Sequence, residues 1–490
     1  MKEIRHYING HWRHGRSQFK TFSPTSGQST ASVSLADSDD VAAAVESASS
    51  AQKGWAARPI SERCSLIGAM VPMLLGKGAD PNLPSKLQQT ISADMGKLKA
   101  EADIEVMESA DMVQFFVDSA ADRLQDVPLK LDGSLWPTKS SVVKAVPYGV
   151  TGIIKPWNYP LEVPLWSIAA ALVAGNAVVF KPSEHASLVG EAIAKMFSEI
   201  NLPPGVFNVI FGEAETGSEL VKHQGTRLIS FTGSYIAGKE IGTVCGEQIK
   251  KCILELSGND AAVICEDADL DLAINGILWG ALCNAGQVCT GIKRVIVIGL
   301  ENHKKLLARL FDTISKLRIG KDIGPIISEA QLRHLETQIS EVQREGGKIE
   351  YGGKRTGTGY FYEPTLLSNI GRDSLVFREE IFGPVVALAC ARDVDEAISL
   401  ANATEYGLGA SVWTQDLECA QFIGDALEVG MVWHNDVNVA FPQAPWGGVK
   451  RSGVGVDLSI WAIDEYVTRK HYCFEKSTDK TRPWWFPYQD

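Results

Sequence analysis

Three residues in this chain have the chemistry needed for covalent catalysis at a carbonyl group. Cys289 lies after a predicted helix in a turn with two glycines, where backbone N–H groups can favour a thiolate. Glu255 stands between two leucines, a costly place for a carboxylate unless it is paired or serves as a base. Asn158 lies in a stiff turn of two prolines and two aromatics, which suits an oxyanion-binding amide. Each also has an ordinary interpretation: a core cysteine, a solvated or arginine-paired glutamate, and an asparagine turn.

A second set of residues is typical of a nucleotide site, because ligands of open α/β sheets bind at the carboxyl ends of strands. An acidic side chain there could hold ribose hydroxyls and would repel a 2′-phosphate, which favours NAD over NADP. A helix N-terminus after the second strand could meet a pyrophosphate. The glycine spacing falls short of GxGxxG and is weak by itself. These residues are Lys181, Ser183 and Glu184 after one predicted strand, and Phe231, Gly233 and Ser234 after another.

The elements that would position these residues alternate between strand and helix from about residue 142 onward. This pattern predicts βαβ units with parallel sheets. The preceding segment is predicted to be helical, with residues 37–40 capping a helix at 41–57. A further strand is predicted at 465–474, before a Trp-rich end. The other predicted strands are 142–146, 150–154, 177–180, 206–210, 228–232, 261–265, 295–298, 385–391 and 410–414, and the helices between them are 165–174, 188–199, 269–283, 302–317 and 329–345.

Size and charge limit the possible classes of protein. The 490 residues predict two or three domains. A net charge of −12 argues against nucleic acid or an anionic membrane as partner, and no stretch is apolar enough for a membrane span. The start of the chain has no apolar leader, and its nine scattered cysteines indicate free thiols in a reducing cytoplasm. Without CxxC or HExxH spacing, no metal site is expected.

Seven short motifs occur in order: PWNYP, KPSE, FTGS, LELSG, GQVC, EEIFGP and PWGGVKRSG. In these motifs the chain resembles the aldehyde dehydrogenase superfamily along nearly its whole length. The resemblance implies that Cys289 attacks an aldehyde and that Asn158 and the Cys289 N–H stabilise the oxyanion. Hydride then leaves to NAD, and Glu255 activates the water that hydrolyses the thioester. It also implies a homodimer or homotetramer.

The resemblance implies an α/β fold in three parts. A Rossmann-type NAD domain would span 1–123 and 142–254, a catalytic α/β domain 255–460, and a small β oligomerisation element 124–141 and 461–490. Glu380 would hold the nicotinamide ribose, and Phe382 would lie near the ring. The residues expected to contact the cofactor are Ile154, Lys155, Trp157, Lys181, Ser183, Glu184, Gly212, Phe231, Gly233, Ser234, Leu256, Glu380 and Phe382.

The aromatic residues expected around the substrate, Tyr159, Trp166 and Trp446, suggest the betaine aldehyde and aminoaldehyde branch, because ring faces attract cations. Cys283 and Met431 are expected to border the same pocket and to weaken an aromatic box. A general aliphatic, aromatic or semialdehyde dehydrogenase remains an alternative.

Three positions depart from the pattern and bear on activity. Ser167 stands where similar proteins often have a lysine, Asp457 where they have its glutamate partner, and Ser257 where they have a glycine. A proton relay behind Glu255 would therefore be altered. Two other classes stay open: a relative that transfers the acyl group to coenzyme A or phosphate, and a catalytically impaired relative kept for binding or structure.

Overall fold

The computed structural model describes residues 2–482 and 484–486. The strands are β1 (Lys2–Ile4), β2 (His6–Ile8), β3 (His11–Arg13), β4 (Ser17–Phe22), β5 (Ser29–Leu35), β6 (Val127–Leu129), β7 (Lys139–Pro147), β8 (Val150–Lys155), β9 (Ala177–Pro182), β10 (Phe207–Val209), β11 (Thr226–Thr232), β12 (Lys251–Glu255), β13 (Asp260–Ile264), β14 (Ile292–Ile298), β15 (Lys348–Tyr351), β16 (Thr365–Ser368), β17 (Val385–Ala391), β18 (Tyr406–Gly407), β19 (Gly409–Trp413), β20 (Met431–His434), β21 (Val449–Lys450), β22 (Gly453–Val454) and β23 (Val467–Glu475).

The helices are α1 (Ser38–Ala56), α2 (Ile60–Gly68), α3 (Met70–Leu74), α4 (Leu83–Met95), α5 (Lys99–Arg123), α6 (Glu162–Val173), α7 (Ser187–Glu199), α8 (Ala214–Lys222), α9 (Tyr235–Glu247), α10 (Leu270–Leu282), α11 (Leu300–Ile314), α12 (Glu329–Arg344), α13 (Leu375–Arg378), α14 (Val394–Ala401), α15 (Leu417–Ala426) and α16 (Ser459–Glu465). Short 3₁₀ turns occur at Glu184–Ala186 and Cys283–Gly286. All nine cysteines are free. Across 2–482 and 484–486, no helix has the length and apolar character to cross a membrane.

Two large sheets organise the chain, and their strands alternate with helices, which confirms the predicted α/β class. The eight-stranded sheet has the order β22-β12-β11-β8-β9-β10-β2-β3, with β12 to β10 parallel. The seven-stranded sheet has the order β15-β16-β17-β14-β13-β19-β20 and is parallel except for β15. The chain crosses directly from one sheet to the other between Glu255 and Asp260.

The first helical prediction is wrong for residues 2–35, where five strands form. These strands are short, β4 and β5 are rich in serine and threonine, and β5 buries few side chains beyond Ala31 and Val33. A strand that covers only the margin of a core shows little hydrophobic alternation, so the sequence pattern is weak there. The helix predicted at 41–57 does form, and the Asp37 side chain caps it by accepting a hydrogen bond from the Asp40 N–H.

A third sheet, β23-β7-β6, is antiparallel and falls where the oligomerisation element was expected. Residues 142–147, which were expected to belong to the part with the eight-stranded sheet, continue β7 and pair with β23 in this third sheet instead. Likewise Glu255 and β22 belong to the eight-stranded sheet, although both were assigned to the catalytic part. Of the tail at 461–490, residues 483 and 487–490 lie outside the described residues.

Helix α6 is buried on every side, and it follows the loop that carries Asn158. Its first N–H groups have no side-chain cap of their own. Glu105 of α5 supplies one, since its Oε1 accepts the N–H groups of Leu161 at 2.9 Å and Glu162 at 3.3 Å. Its Oε2 lies 2.6 Å from the buried ammonium of Lys97. This buried ion pair therefore fixes where α6 begins.

Substituting Lys97→Met should destabilise the protein by about 3–5 kcal/mol, because it leaves Glu105 buried without its cation. Denaturant unfolding measures the loss as a lower midpoint. The matched control is Lys99→Met, whose ion pair with Asp103 is exposed and should contribute far less. Equal midpoints for the two variants would contradict the assigned role of the buried pair.

Candidate active site

Cys289 lies in the loop between α10 and β14, just after a strained turn. Asn284, Ala285 and Gly286 adopt consecutive left-handed conformations with φ of 51°, 54° and 71°. For a non-glycine residue such a backbone costs on the order of 1 kcal/mol, so neighbouring contacts must hold it. Gly286 is required for close approach as well, because an added Cβ would lie 2.0 Å from the Gly383 carbonyl oxygen.

Two side-chain amides hold this turn. Asn284 Nδ2 donates to the carbonyl oxygens of Asn158 at 3.1 Å and Gln287 at 3.3 Å. Gln287 Nε2 donates to the carbonyl oxygens of Asn284 at 3.0 Å and Pro325 at 3.1 Å. Its Oε1 accepts the Ile327 N–H at 2.8 Å. The turn is thus bonded to the loop after β8 and to the segment before α12.

The Cys289 thiol is half-buried and borders a cavity. Burial raises its pKa to about 12, and the negative charges of Glu255, Glu380 and Asp260 act in the same direction. A hydrogen bond from the Thr290 N–H opposes them. The resting group at neutral pH is therefore a thiol.

Glu255 ends β12, beside Thr232 of the parallel strand β11. Its side chain borders the same cavity as Cys289, yet the residue is only 4% exposed, and its Oε1 has no hydrogen-bond partner among the described residues. Burial raises its pKa well above the usual range, the charge of Asp457 adds to this, and Lys155 opposes it. Gly447 leaves room for the carboxyl group, since an added Cβ would lie 3.1 Å from Oε1.

Asn158 is buried beside the thiol loop. Its Nδ2 donates to the Gln287 carbonyl oxygen at 3.1 Å. An amide nitrogen has two hydrogens, so one N–H remains for another acceptor. The side chain is thereby held in one orientation next to the turn that leads to Cys289.

The cavity combines aromatic rings, carboxyl groups and two thiols. Trp166 and Trp446 form one wall, with ring centroids 5.8 Å apart at 63°. Cys283, Tyr159 and the half-exposed Trp279 complete the mouth. The lining residues are Glu101, Ile104, Glu108, Tyr159, Glu162, Val163, Trp166, Thr232, Glu255, Leu256, Trp279, Cys283, Val288, Cys289, Thr290, Asn438, Ala440, Trp446 and Asp457.

Met431 is not brought to this cavity, contrary to the sequence expectation. It begins β20, where its N–H donates to the Leu408 carbonyl oxygen at 3.1 Å, and it pairs with Gly409. The wall on that side comes from the loop after β20, which supplies Trp446. Trp433, on the same strand, lies against Trp446 with ring centroids 6.1 Å apart. Sequence reasoning missed this ring because alternation along a strand cannot tell which loop covers it.

The acidic side chains of the cavity were also missed. Glu101, Glu108 and Glu162 border it, the first two on α5 and the third at the start of α6. Burial raises the pKa of Glu108, and the charge of Glu105 adds to this. Burial raises the pKa of Glu162 well above its usual range, and the charges of Glu108 and Glu105 add to this. A signal was present in the sequence, because positions 101 and 108 fall on one face of the predicted helix.

The expected cofactor residues of the first sheet gather at the carboxyl ends of its parallel strands. Lys181 is buried at the end of β9, where Ile154 of β8 is its register partner. Its ammonium lies 3.9 Å from the Glu184 carboxylate. Ser183 Oγ accepts the N–H of His185, in the short 3₁₀ turn that follows. Burial lowers the pKa of Lys181, so a negatively charged or hydroxyl ligand would stabilise its cation.

The helix after β11 presents a capped N-terminus at this edge. Ser234 caps α9 by accepting the Ala237 N–H at 3.3 Å. Phe231 and Gly233 precede this helix. Leu256 packs against α9 at Gly238, where an added Cβ would lie 2.3 Å from the Leu256 side chain. Gly212 makes a similar close approach, since an added Cβ would lie 2.0 Å from Thr216 Oγ1.

The far end of this edge meets the thiol loop. Trp157 and Phe382 form an edge-to-face pair with centroids 5.7 Å apart. Burial raises the pKa of Glu380 to about 7, opposed by Lys293. Its Oε1 accepts the Gly258 N–H at 3.4 Å. A capped helix end, a buried lysine and glycine-lined turns fit a dinucleotide that ends beside Cys289.

Lys155 differs from its predicted role, because its ammonium does not reach the nucleotide edge. It donates to Thr232 Oγ1 at 2.8 Å and to Asp457 Oδ2 at 3.1 Å, behind Glu255. Side chains alternate along a strand, so Ile154 and Lys155 face opposite sides of the sheet. Ser167 also turns to Asp457, with its Oγ donating to Oδ1 at 3.1 Å.

Comparison with known proteins agrees with this geometry. Residues 12–472 match the model of the aldehyde dehydrogenase family. The chain is 34% identical to a chloroplastic aminoaldehyde dehydrogenase of Arabidopsis thaliana over 98% of its own length and 97% of that protein. It is 35% identical to a chloroplastic betaine aldehyde dehydrogenase of Amaranthus hypochondriacus, with the same two shares. A betaine aldehyde dehydrogenase of Staphylococcus aureus, crystallised with NAD+, superposes with a TM-score of 0.93 at 30% identity, covering 98% of this chain and 96% of that one.

The charges around the thiol lead to a test by alkylation. The rate at which iodoacetamide modifies Cys289 in the cofactor-free protein should keep rising up to about pH 12, following the raised pKa of the thiol. In a Glu255→Gln variant the rate at alkaline pH should increase, because the ionised carboxylate that opposes the thiolate is gone. Mass spectrometry of the Cys289 peptide measures both rates. A slower reaction in the variant would mean that Glu255 acts instead as a base for the thiol.

Proposed function

The chain belongs to the aldehyde dehydrogenase family and is an NAD-dependent aldehyde oxidoreductase, and we propose that its substrate is an aldehyde bearing a cationic amino group. The Cys289 thiol releases its proton to solvent, and the resulting thiolate adds to the aldehyde carbon; the oxyanion formed accepts hydrogen bonds from the Cys289 N–H and from Asn158 Nδ2. NAD, when bound, supplies a positive ring charge and the hydride acceptor that turns the adduct into a thioester. Glu255 then takes a proton from water, which attacks the thioester and releases the carboxylate product.

The residues proposed to hold the cofactor follow from the edge of the first sheet. Lys181, Ser183 and Glu184 are assigned to the adenosine ribose, and Ser234 to the pyrophosphate at the start of α9. Glu380 is assigned to the nicotinamide ribose. The Trp157–Phe382 pair and Leu256 are assigned to the apolar walls around the nicotinamide. The remaining residues line the cofactor groove: Ile154, Gly212, Phe231 and Gly233. The acidic Glu184 favours NAD over NADP through repulsion of a 2′-phosphate.

The observation that carries the substrate proposal is the cluster of carboxyl groups that borders the cavity. Glu101, Glu108 and Glu162 face a cavity in which the nearest buried ammonium, that of Lys97, is already paired with Glu105. Burial and repulsion raise the pKa of Glu108 and Glu162, so a bound cation would stabilise their ionised forms. A semialdehyde, which carries its own carboxylate, would be repelled.

Two cationic classes fit the cavity differently. A primary ammonium donates hydrogen bonds to carboxylates, which favours an ω-aminoaldehyde. A trimethylammonium group has no donor and depends on ring faces such as those of Trp166 and Trp446, because Lys97 Nζ already lies 3.7 Å from the centroid of the Tyr159 ring. Betaine aldehyde is therefore the second candidate. The names of the similar plant proteins include both classes.

Transfer to coenzyme A or phosphate is disfavoured because Glu255 would activate competing water at the thioester. A purely structural role is disfavoured because Cys289 and Glu255 border one cavity.

Assembly and location are finer proposals. The sheet β23-β7-β6 exposes Val127, Leu129 and Phe474, and we infer that it pairs with a second copy to build a homodimer or homotetramer. A cytoplasmic location stays a prediction from the sequence, since the similar plant proteins named above are chloroplastic.

Substitution Glu255→Gln should separate hydride transfer from hydrolysis. The variant should give a rapid burst of NADH of about one equivalent per site and then turn over at least about 100-fold more slowly than the parent, which is the usual contribution of a general base. Stopped-flow absorbance with saturating NAD measures both phases. Loss of the burst together with turnover, or an unchanged steady rate, would contradict the assignment of Glu255 to water.

Substitution Glu108→Gln should raise KM for an ω-aminoaldehyde by roughly tenfold and leave KM for a neutral aldehyde of equal length unchanged. For the parent, KM for the aminoaldehyde should also rise as pH falls, because the raised pKa of Glu108 lets it lose its charge. The variant should show a flatter dependence. Asp103→Asn, which removes the same charge from an exposed position on α5, is the control. Equal KM changes for both aldehydes would show that Glu108 does not recognise the ammonium group.

A further inference from the structure

A buried ion pair lies close enough to Glu255 for both of its charges to act on that carboxyl group. Lys155 Nζ is 3.1 Å from Asp457 Oδ2 and 2.8 Å from Thr232 Oγ1, and the side chains of the ion pair are at most 2% exposed. Thr232 is the register partner of Glu255 across β11 and β12. The ammonium is therefore anchored one strand away from the carboxyl group.

The four groups differ in their access to the cavity. Glu255, Asp457 and Thr232 border it, whereas Lys155 does not. Asp457 is held in place from two further sides. Its backbone makes a two-way bridge with Trp446, at 2.7 and 2.8 Å, and its Oδ1 accepts from Ser167.

Asp457 receives polar groups from a helix and from a strand. The family resemblance places a lysine on α6 where Ser167 stands, and that helix residue can offer Asp457 only a hydroxyl. Lys155 reaches the same carboxylate from the end of β8 instead. Asp457 is thus paired with a cation from the end of a strand, whereas the resemblance leads us to expect that cation on the helix.

We propose that Lys155 is a positioning residue for thioester hydrolysis: with Asp457 it sets how readily the buried Glu255 becomes a carboxylate. The inference rests on the proposed role of Glu255 as the base for water. No atom of Lys155 needs to touch the substrate for this role, since its charge acts through the low-dielectric space around Glu255.

The signs of the interactions make the inference specific. Burial and Asp457 raise the pKa of Glu255, while Lys155 lowers it. The thiol of Cys289, which borders the same cavity, also interacts with the charge of Glu255 and is neutral at rest. Tyr466 and Ser230 lie next to Ser167, behind Asp457. The charges that control Glu255 are thus the two members of the ion pair.

The test measures the post-burst rate of NADH formation as a function of pH in the full-length enzyme with saturating NAD. Lys155→Met should move the acidic midpoint of this profile upward by about 1–3 units, because a nearby cation has been lost. Asp457→Asn should move it downward, because the repelling carboxylate has gone. The double variant should have a midpoint between those of the two single variants. Burst amplitude and KM for the aldehyde should stay at parent values in Lys155→Met.

Each outcome decides the question. The double variant carries no unpaired buried charge, so it reports even where a single variant fails to fold. A double-variant midpoint that coincides with that of either single variant, or a Lys155→Met midpoint that does not rise, overturns the inference. The Glu255→Gln variant, measured in the same way, distinguishes a wrong role for Lys155 from a wrong role for Glu255. If Glu255→Gln keeps the parent's pH-dependent post-burst rate, the base itself has been misassigned.

Discussion

The carboxyl group of Glu255 is held at the end of a strand, out of water, with one oxygen unpaired and a like charge nearby. Desolvation of this kind costs free energy in the folded state. It also creates a base that is stronger than an ordinary glutamate once ionised, because water does not share its charge. Much of the surrounding structure keeps the Glu255 carboxyl group in this buried position and prevents it from turning towards solvent.

Several parts of the fold contribute to that setting. The chain crosses between the two sheets immediately after Glu255, so the base and the thiol loop approach from different sheets. Gly447 keeps the covering loop close without filling the space of the carboxyl group. Helix α6, buried throughout, brings Trp166 to the substrate side and Ser167 to Asp457 on successive positions. One rigid helix therefore connects the aromatic wall with the ion pair.

The sequence predicted those features that depend on local patterns. The alternation of apolar strands and helices identified both parallel sheets, and the motif order located Cys289, Glu255 and Asn158. Long-range geometry was not accessible in this way. Lys155 was assigned to the nucleotide site because neighbouring residues such as Ile154 were assigned there. Side chains alternate along a strand, however, so the Lys155 side chain lies on the opposite face of the sheet from that of Ile154. Met431 was misplaced because the path of the covering loop cannot be read from spacing, and the carboxylates of α5 were missed because acidic helix residues are usually solvated.

The left-handed turn at 284–286 depends on partners from both large sheets: Asn158 lies in the loop after β8, and Gly383 lies before β17. Neither half of the molecule can stabilise the turn alone. The loop that carries the nucleophile therefore belongs to the boundary between the two halves, and any shift of one half against the other is passed directly to Cys289.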